Sequence, residues 1–334
     1  MVRFSIILPV RNGGEYIKEC VASILAQSVK EFNLLVLDNN SSDGTPEWIE
    51  SLNDERVIIY KSSKSLSIEE NWGRIKDIPK NEYITLIGHD DLLNKNYLAT
   101  MNELILKFPD AGLYQTHFTY INAKGEKIRD SKKMAEVESA DEFLGKFLRN
   151  EIDVMGTGFM MRSKDYNLLG GIQPYPNLLF ADFELWINLT KISYKATSSL
   201  ECFSFRLHQS TTTVSPDIKF QRAFQQFIYF LSELNKEKDS FKMTIQEYGG
   251  QFLSFYCRGL SHRLLRTEMK AREGMTVKQF INNCREYARL LGIVKSFQPE
   301  RVVSLTLAKI IDSTAATRYL FRCFKKLYPD PVMK

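Results

Sequence analysis

Four short apolar runs, at residues 4–10, 33–38, 57–60 and 83–87, are separated by segments of helical period. That alternation restricts the fold more than any other feature of the chain. Runs this short, rich in β-branched and aromatic residues, read as buried strands. After the first run, Asn12-Gly13-Gly14 supplies a turn. Apolar residues at 17, 21, 24 and 25 then follow helical spacing within 15–27. Thr45-Pro46-Glu47 reads as an N-cap, a proline at the first helical position and an early acid. Residues 68–78 are helical in pattern. Strands alternating with helices at this spacing make βαβ units and a parallel sheet.

The fourth run ends abruptly in Gly88-His89-Asp90-Asp91. Packing does not explain two carboxylates at the end of a buried strand, since such groups are rarely buried without a partner or a cation. Asp38 ends the second run in the same way. Open α/β folds bind ligands at the carboxyl edge of the sheet, where these strand ends lie side by side. Hard oxygen ligands suit Mg²⁺ or Mn²⁺, ions that commonly bring phosphates with them. A third acid, Asp182, lies in Leu179-Phe180-Ala181-Asp182-Phe183-Glu184-Leu185-Trp186.

Beyond residue 93 the rhythm changes. Residues 94–108 form a helix closed by Pro109. Residues 112–121 and 126–129 flank a hairpin turn, and Ser139-Ala140-Asp141-Glu142 opens a helix in capping-box form. Residues 152–161 read as a strand containing Gly156 and Gly158. Residues 183–189 read as helix and 194–207 as extended chain. Past Pro216 the pattern is helical almost throughout. Phe220, Phe224, Phe227, Ile228 and Leu231 form one stripe. Phe252, Phe255, Tyr256, Leu260, Leu264 and Leu265 form another. Stripes of this kind are most often core. Residues 317–328 set Tyr319, Leu320, Phe321, Phe324 and Leu327 beside Arg318, Arg322, Lys325 and Lys326, which also suits a helix lying on a membrane.

Charge divides the chain. Residues 1–212 carry 24 Lys/Arg and 29 Asp/Glu, whereas residues 213–334 carry 21 and 11. The boundary is expected at residues 210–216, between a catalytic domain of residues 1–212 and a basic helical region of residues 213–334. That region is expected to contact an acceptor, a membrane surface or another subunit, a homo-oligomer included, or to be a set of solvated helix faces. Nucleic acid is not an expected partner. Apolar content of 44% and charged content of 25% fit a soluble globular protein. No run is long and apolar enough to span a bilayer, and the N-terminus lacks signal-peptide character. Five scattered cysteines form no CxxC pair and are expected as free thiols in a reducing cytoplasm.

Three segments together resemble the family 2 glycosyltransferases. They are Ser5-Ile6-Ile7-Leu8-Pro9-Val10-Arg11-Asn12, Val36-Leu37-Asp38-Asn39-Asn40-Ser41-Ser42-Asp43-Gly44-Thr45, and Gly88-His89-Asp90-Asp91. The helix around Cys20–Ser28 and Asn71 in Glu69-Glu70-Asn71-Trp72-Gly73 match as well. The resemblance covers about residues 3–212 and no part of the chain after them. It implies the GT-A fold: α/β and Rossmann-like, with a mostly parallel central sheet and a smaller mixed sheet, here followed by an α-helical C-terminal region. It further implies an inverting transfer from a nucleotide-sugar, UDP- or dTDP-linked, to a glycan or polyprenyl-diphosphate-linked acceptor. The setting would be surface polysaccharide or glycoconjugate synthesis, in the cytoplasm or on the inner face of the membrane.

The resemblance also assigns roles. Asp38 would bond the nucleobase, with Pro9, Val10, Arg11, Asn12 and Asn71 around the nucleotide. Asp91 would ligate Mn²⁺ or Mg²⁺, and Asp90 would contact the ribose or order its loop. Gly88 stands where longer forms of this motif have a first acid. Asp182 matches the general base of a Glu-Asp pair, of which Ala181 replaces the glutamate. Phe205-Arg206-Leu207-His208 resembles an R-x-H element, in which Arg206 would touch the donor and His208 the metal or the diphosphate. Gly156 would allow close backbone approach to a sugar. Asp43 reads as a turn and cap residue, and His89 as shaping its loop. Two other readings share parts of this pattern. A non-catalytic nucleotide-sugar or glycan-binding scaffold suits Gly88 and Ala181, and a nucleotidyltransferase suits the metal logic but leaves Asp182 unused.

Overall fold

A computed structural model describes residues 3–208 and 217–328. The expected boundary at residues 210–216 lies outside them. The chain forms two units. The first runs to Phe143 and resumes from Ile152 to His208; the second takes Leu144–Glu151 and the chain after His208.

The first unit is built on one sheet. Its first half is β1 (Phe4–Val10), α1 (Tyr16–Leu25), β2 (Phe32–Asp38), α2 (Thr45–Ser51), β3 (Val57–Lys61), α3 (Ile68–Gly73) and β4 (Tyr83–Leu86). β5 (Leu92–Leu93), α4 (Tyr97–Lys107), β6 (Leu113–Ile121), β7 (Lys127–Asp130), β8 (Val137–Glu138) and α5 (Ala140–Leu148) follow. β9 (Phe159–Arg162), α6 (Ser163–Leu168), α7 (Ala181–Ile192) and β10 (Lys195–Arg206) complete it. The strand order is β3-β2-β1-β4-β9-β6-β10-β5, with β7 on β6 and β8 on β10. β1, β2, β3 and β4 are parallel, as the alternation predicts. β9 runs antiparallel to both β4 and β6, and β10 runs parallel to β6. The mixed half therefore continues the central sheet.

The core follows from composition. Every residue of β1 is buried, and Leu34, Leu35, Val36 and Leu37 of β2 are inaccessible to solvent. Strands covered on both faces need continuous apolar runs rather than alternation. Each such Leu, Ile or Val contributes about 1.5–3 kcal/mol by leaving water.

Three local expectations are corrected. The strand expected over 152–161 is confined to Phe159–Arg162. Gly158 has φ +79°, and the Phe203 ring lies where its Cβ would be, 2.7 Å away, so the preceding residues turn out of the ladder. The helix expected over 68–78 ends at Gly73 and tightens into a 3₁₀ turn at Arg74–Lys76, with Pro79 unable to extend it. Thr45 is not the N-cap of α2: Gly44 is, at φ +85°. The Thr45 hydroxyl instead accepts a bond from Gly13 N at 3.1 Å. The capping box at Ser139 forms as expected, with Glu142 accepting from Ser139 N at 2.9 Å.

The second unit contains α8 (Lys219–Glu237), α9 (Asp239–Arg266), α10 (Val277–Leu290), α11 (Val303–Asp312) and α12 (Ala315–Leu327). The α8 stripe is core: Phe224, Phe227, Ile228 and Leu231 are fully buried, and Phe224 stacks on Tyr256 at 5.0 Å. Phe255 departs from the expected α9 stripe and is exposed. Buried Arg272 donates to Asp312 Oδ1 at 2.6 Å, and the other Asp312 oxygen accepts from Val277 N at 2.6 Å. That buried pair ties the turn before α10 to the end of α11. All five cysteines are free thiols.

Candidate functional site

Parallel register brings the expected nucleotide residues to one edge. Pro9 pairs with Leu37, and Val10 with Asp38. Pro9 and Val10 are buried in the strand, and Val10 O accepts from Asn39 N at 2.9 Å. Asp38 is buried. Its Oδ2 accepts weakly from Ser41 N at 3.3 Å, and its Oδ1 has no hydrogen-bond partner among the described residues. A buried acceptor without a donor is costly unless a ligand supplies one. Asn71 donates to Leu37 O at 3.2 Å and accepts from Arg74 at 2.8 Å, while Arg74 also holds Asp38 O at 3.0 Å. Asn71 thus fixes the end of β2. Asn12, at φ +53°, locks the two loops together: its N–H donates to Ser41 Oγ, and its Oδ1 accepts from Ser42 N, both at 2.9 Å. Asp43 accepts from Gly14 N and Thr45 N, the turn and cap role expected of it. Arg11 is exposed and donates to Ser65 Oγ at 3.2 Å.

Asp90 and Asp91 lie in the turn after β4 and differ in exposure and partners. Asp91 turns inward and is 1% exposed. It accepts from Thr157 Oγ1 at 2.7 Å and from Arg206 N at 3.1 Å. Burial, and then the Asp90 charge, pushes its carboxyl up to about 8. Asp90 is the more open carboxylate and meets His208 Nε2 at 2.5 Å. His208, expected at the metal or the diphosphate, thus has Asp90 as its carboxylate partner. Gly88 follows from the same geometry. A Cβ there would lie 2.7 Å from Asp90 Oδ1 and 3.0 Å from Asp91 Oδ2, so a side chain at this position would crowd both carboxylates.

Arg206, expected beside the donor, lies behind the Asp90-Asp91 turn. Its guanidinium is buried and donates to Asp90 O at 2.7 Å, to Asn122 O and Ala123 O, and to Glu19 Oε2 at 2.6 Å. It stacks over Tyr16 at 4.6 Å. Through these bonds it braces the Asp90-Asp91 turn.

The segment Met155–Gly158 joins this turn to Asp182. Met155 O accepts from Trp186 Nε1 at 3.0 Å, which fixes α7. Gly156 faces Asp182: a Cβ there would lie 3.2 Å from Asp182 Oδ2. Thr157 holds Asp91, and Gly158 N donates to Leu86 O at 2.9 Å. Asp182 sits in the first turn of α7, where its Oδ1 accepts from Phe183 N at 2.8 Å. Burial pushes its carboxyl up to about 6, in the range of a general base. Ala181 is fully buried, so a longer side chain there would enter the core rather than reach a ligand. The preceding loop holds Asn177, Leu178 and Phe180 at φ +55°, +57° and +67°. Three left-handed non-glycine residues in so short a loop store strain of roughly 1–3 kcal/mol each. Asn177 N anchors the loop to Glu69 at 2.7 Å.

The donor set is compatible with a divalent cation. Apart from His208 on Asp90, the donors to these two carboxylates are neutral N–H and O–H groups, and the nearby guanidinium binds carbonyls and Glu19, so a bound cation would offset the charge that the pair carries when ionised. Among the described residues no group of three or more His, Cys, Asp or Glu side chains is placed to hold a metal ion. Thr157, Glu19 and Arg74 escaped the sequence reading. Only the flanking glycines of Thr157 hinted at an unusual backbone there.

Residues 5–169 match the family model described as Glycosyl transferase family 2. An uncharacterised glycosyltransferase of Rickettsia typhi is 24% identical over 309 residues, which are 88% of this chain and 94% of that protein. The crystal structure of S. aureus TarS 1–349 in complex with UDP-GlcNAc matches with a TM-score of 0.69 at 15% identity, over 98% of this chain and 91% of that one. The mannosyltransferase PcManGT from Pyrobaculum calidifontis, in complex with GDP-Man and Mn²⁺, matches with a TM-score of 0.51 at 13% identity, over 93% and 88%. The fold is GT-A, with a mixed, mostly parallel sheet and a helical C-terminal region.

Proposed function

We propose, from the premise that this chain belongs to glycosyl transferase family 2, that it catalyses inverting sugar transfer. The donor is a UDP- or dTDP-linked sugar, and the acceptor is a hydroxyl of a glycan or polyprenyl-diphosphate-linked molecule. The observation that carries this reading is the strap Met155–Gly158. It ties the donor-side carboxylate Asp91 to the acceptor-side carboxylate Asp182 through four consecutive residues. The unpartnered Asp38 Oδ1 supports a pyrimidine donor, since the imide N–H of uracil or thymine would satisfy it. The likeness to a TarS complex with UDP-GlcNAc supports the same class. We assign residues 1–212 to catalysis and residues 213–334 to acceptor, membrane or subunit contacts, with synthesis of a surface polysaccharide or glycoconjugate at the cytoplasmic face as the setting.

In the mechanism the acceptor oxygen attacks the anomeric carbon on the face opposite the diphosphate. Asp182 takes its proton as the C–O bond forms, a contribution of about 10²–10⁴-fold. The bond to the diphosphate breaks, its electron pair leaves with the phosphate oxygen, and the anomeric configuration inverts. Asp38 orients the nucleobase, and Arg206 holds the Asp90-Asp91 turn in shape. Asp91 and His208 would hold Mn²⁺ or Mg²⁺, which when bound would offset charge on the departing diphosphate, and Asp90 would contact the ribose or order its loop.

A donor screen by thermal unfolding tests the reading. UDP- or dTDP-sugars at 100 times their Kd should stabilise the fold by about 2.7 kcal/mol, and Asp38→Ala should remove most of that shift. A larger shift with GDP-mannose would overturn the pyrimidine assignment.

A further inference from the structure

Helix α12 turns its apolar side outward. Leu320, Phe324 and Leu327 are 65%, 53% and 76% exposed, with exposed Tyr319 and Tyr328 alongside. Spacings of four and three put the first three on one face, and the helix buries none of its residues. Its anchors lie elsewhere: Phe321 packs against the His262 ring at 5.7 Å, and Arg318 donates to Asp312 O at 2.5 Å. The neighbouring α11 has a second stripe, Val303, Leu307 and Ile310, also exposed. Monomeric soluble proteins rarely leave apolar faces of this extent uncovered.

Charge narrows the occupant. From Ser313 to Tyr328 the chain carries Arg318, Arg322, Lys325 and Lys326 and no acid. Two copies meeting through this face would set four cations against four, with no acid in the segment to offset them. An anionic lipid surface supplies both the counter-charge and an apolar layer for the stripe.

We propose that α12, with the exposed stripe of α11, is the docking surface for an anionic lipid bilayer. Leu320, Phe324 and Leu327 enter the headgroup–acyl boundary, and Arg322, Lys325 and Lys326 meet lipid phosphates. The inference deepens the reading above, because a polyprenyl-linked acceptor is met at such a surface; the binding itself needs no catalysis.

Co-sedimentation of the full chain with vesicles tests it. Equimolar phosphatidylcholine and phosphatidylglycerol vesicles should capture the protein at low salt, and pure phosphatidylcholine vesicles should not. Leu320→Ser/Phe324→Ser/Leu327→Ser and Arg322→Glu/Lys326→Glu should each lower capture by about tenfold or more. The altered side chains sit at the surface, so both variants should keep the parent Tm and its nucleotide-sugar shift. Three results would overturn the proposal: no capture of the parent by anionic vesicles, undiminished capture of either variant, or a parent oligomer in light scattering that the triple variant dissociates. A parent that docks on vesicles yet takes no nucleotide-sugar would overturn the catalytic reading and leave this one standing.

Discussion

Burial pushes the Asp182 carboxyl up to about 6, so between about pH 4 and pH 6 the folded chain binds more protons there than the unfolded chain does. This contribution to stability is intact below that window and is lost as pH rises through it. Above pH 6 the buried charge costs roughly 1–3 kcal/mol. Asp182→Asn keeps the shape and removes the charge. Its Tm should exceed the parent's at about pH 7.5, and the difference should vanish near pH 4. The same variant should transfer sugar about 10²–10⁴-fold more slowly. In the parent, kcat/KM should drop about tenfold per pH unit below 6, as a base that must be ionised requires. Thr157 offers a second test at this scale. Thr157→Val leaves buried Asp91 without its hydroxyl donor, at a cost of about 1–3 kcal/mol in urea unfolding, whereas Thr157→Ser should stay near the parent. A loss from Thr157→Ser with none from Thr157→Val would mean that the methyl group, not the hydroxyl, is what the site uses.

The elements repeat one device, a strand end whose next few residues are pinned by a neighbouring loop. β1 and β2 were legible because continuous apolar runs leave few alternatives to a buried parallel strand. The turn after β4 was legible because its aspartates had no packing role. The segment at 152–158 was not. Its sequence looks extended, and what bends it is long-range: the Phe203 ring over Gly158 and the Asp91 carboxylate on Thr157. The Asp90–His208 pairing was equally hidden, since it depends on which way two adjacent side chains turn. Gly158→Ala tests the bend. It combines a left-handed φ with a Cβ 2.7 Å from Phe203, so it should lower stability by at least ~1–3 kcal/mol. Gly156→Ala meets only the tip of Asp182 at 3.2 Å; it should leave Tm nearly unchanged and lower the rate of transfer instead.

At the scale of the whole molecule, composition indicated that the chain changes character after residue 212, and the helices of the second unit follow. It gave no sign that Leu144–Glu151 goes with them. Within α5, Phe143 packs on Phe183 in the first unit, while Phe147 packs on Phe227 and Phe252 in the second. Both ends of that helix read alike as amphipathic, so periodicity could not tell them apart. The shared helix constrains how such a protein can be altered by recombination. Neither unit is a contiguous stretch of the gene. A crossover near residue 212 that exchanged the helical region for an unrelated one would leave Phe147 facing a foreign surface. New helices would then have to arrive together with a matching Leu144–Glu151, or be refined gradually in place, so the two units are expected to diverge in step rather than by cassette exchange.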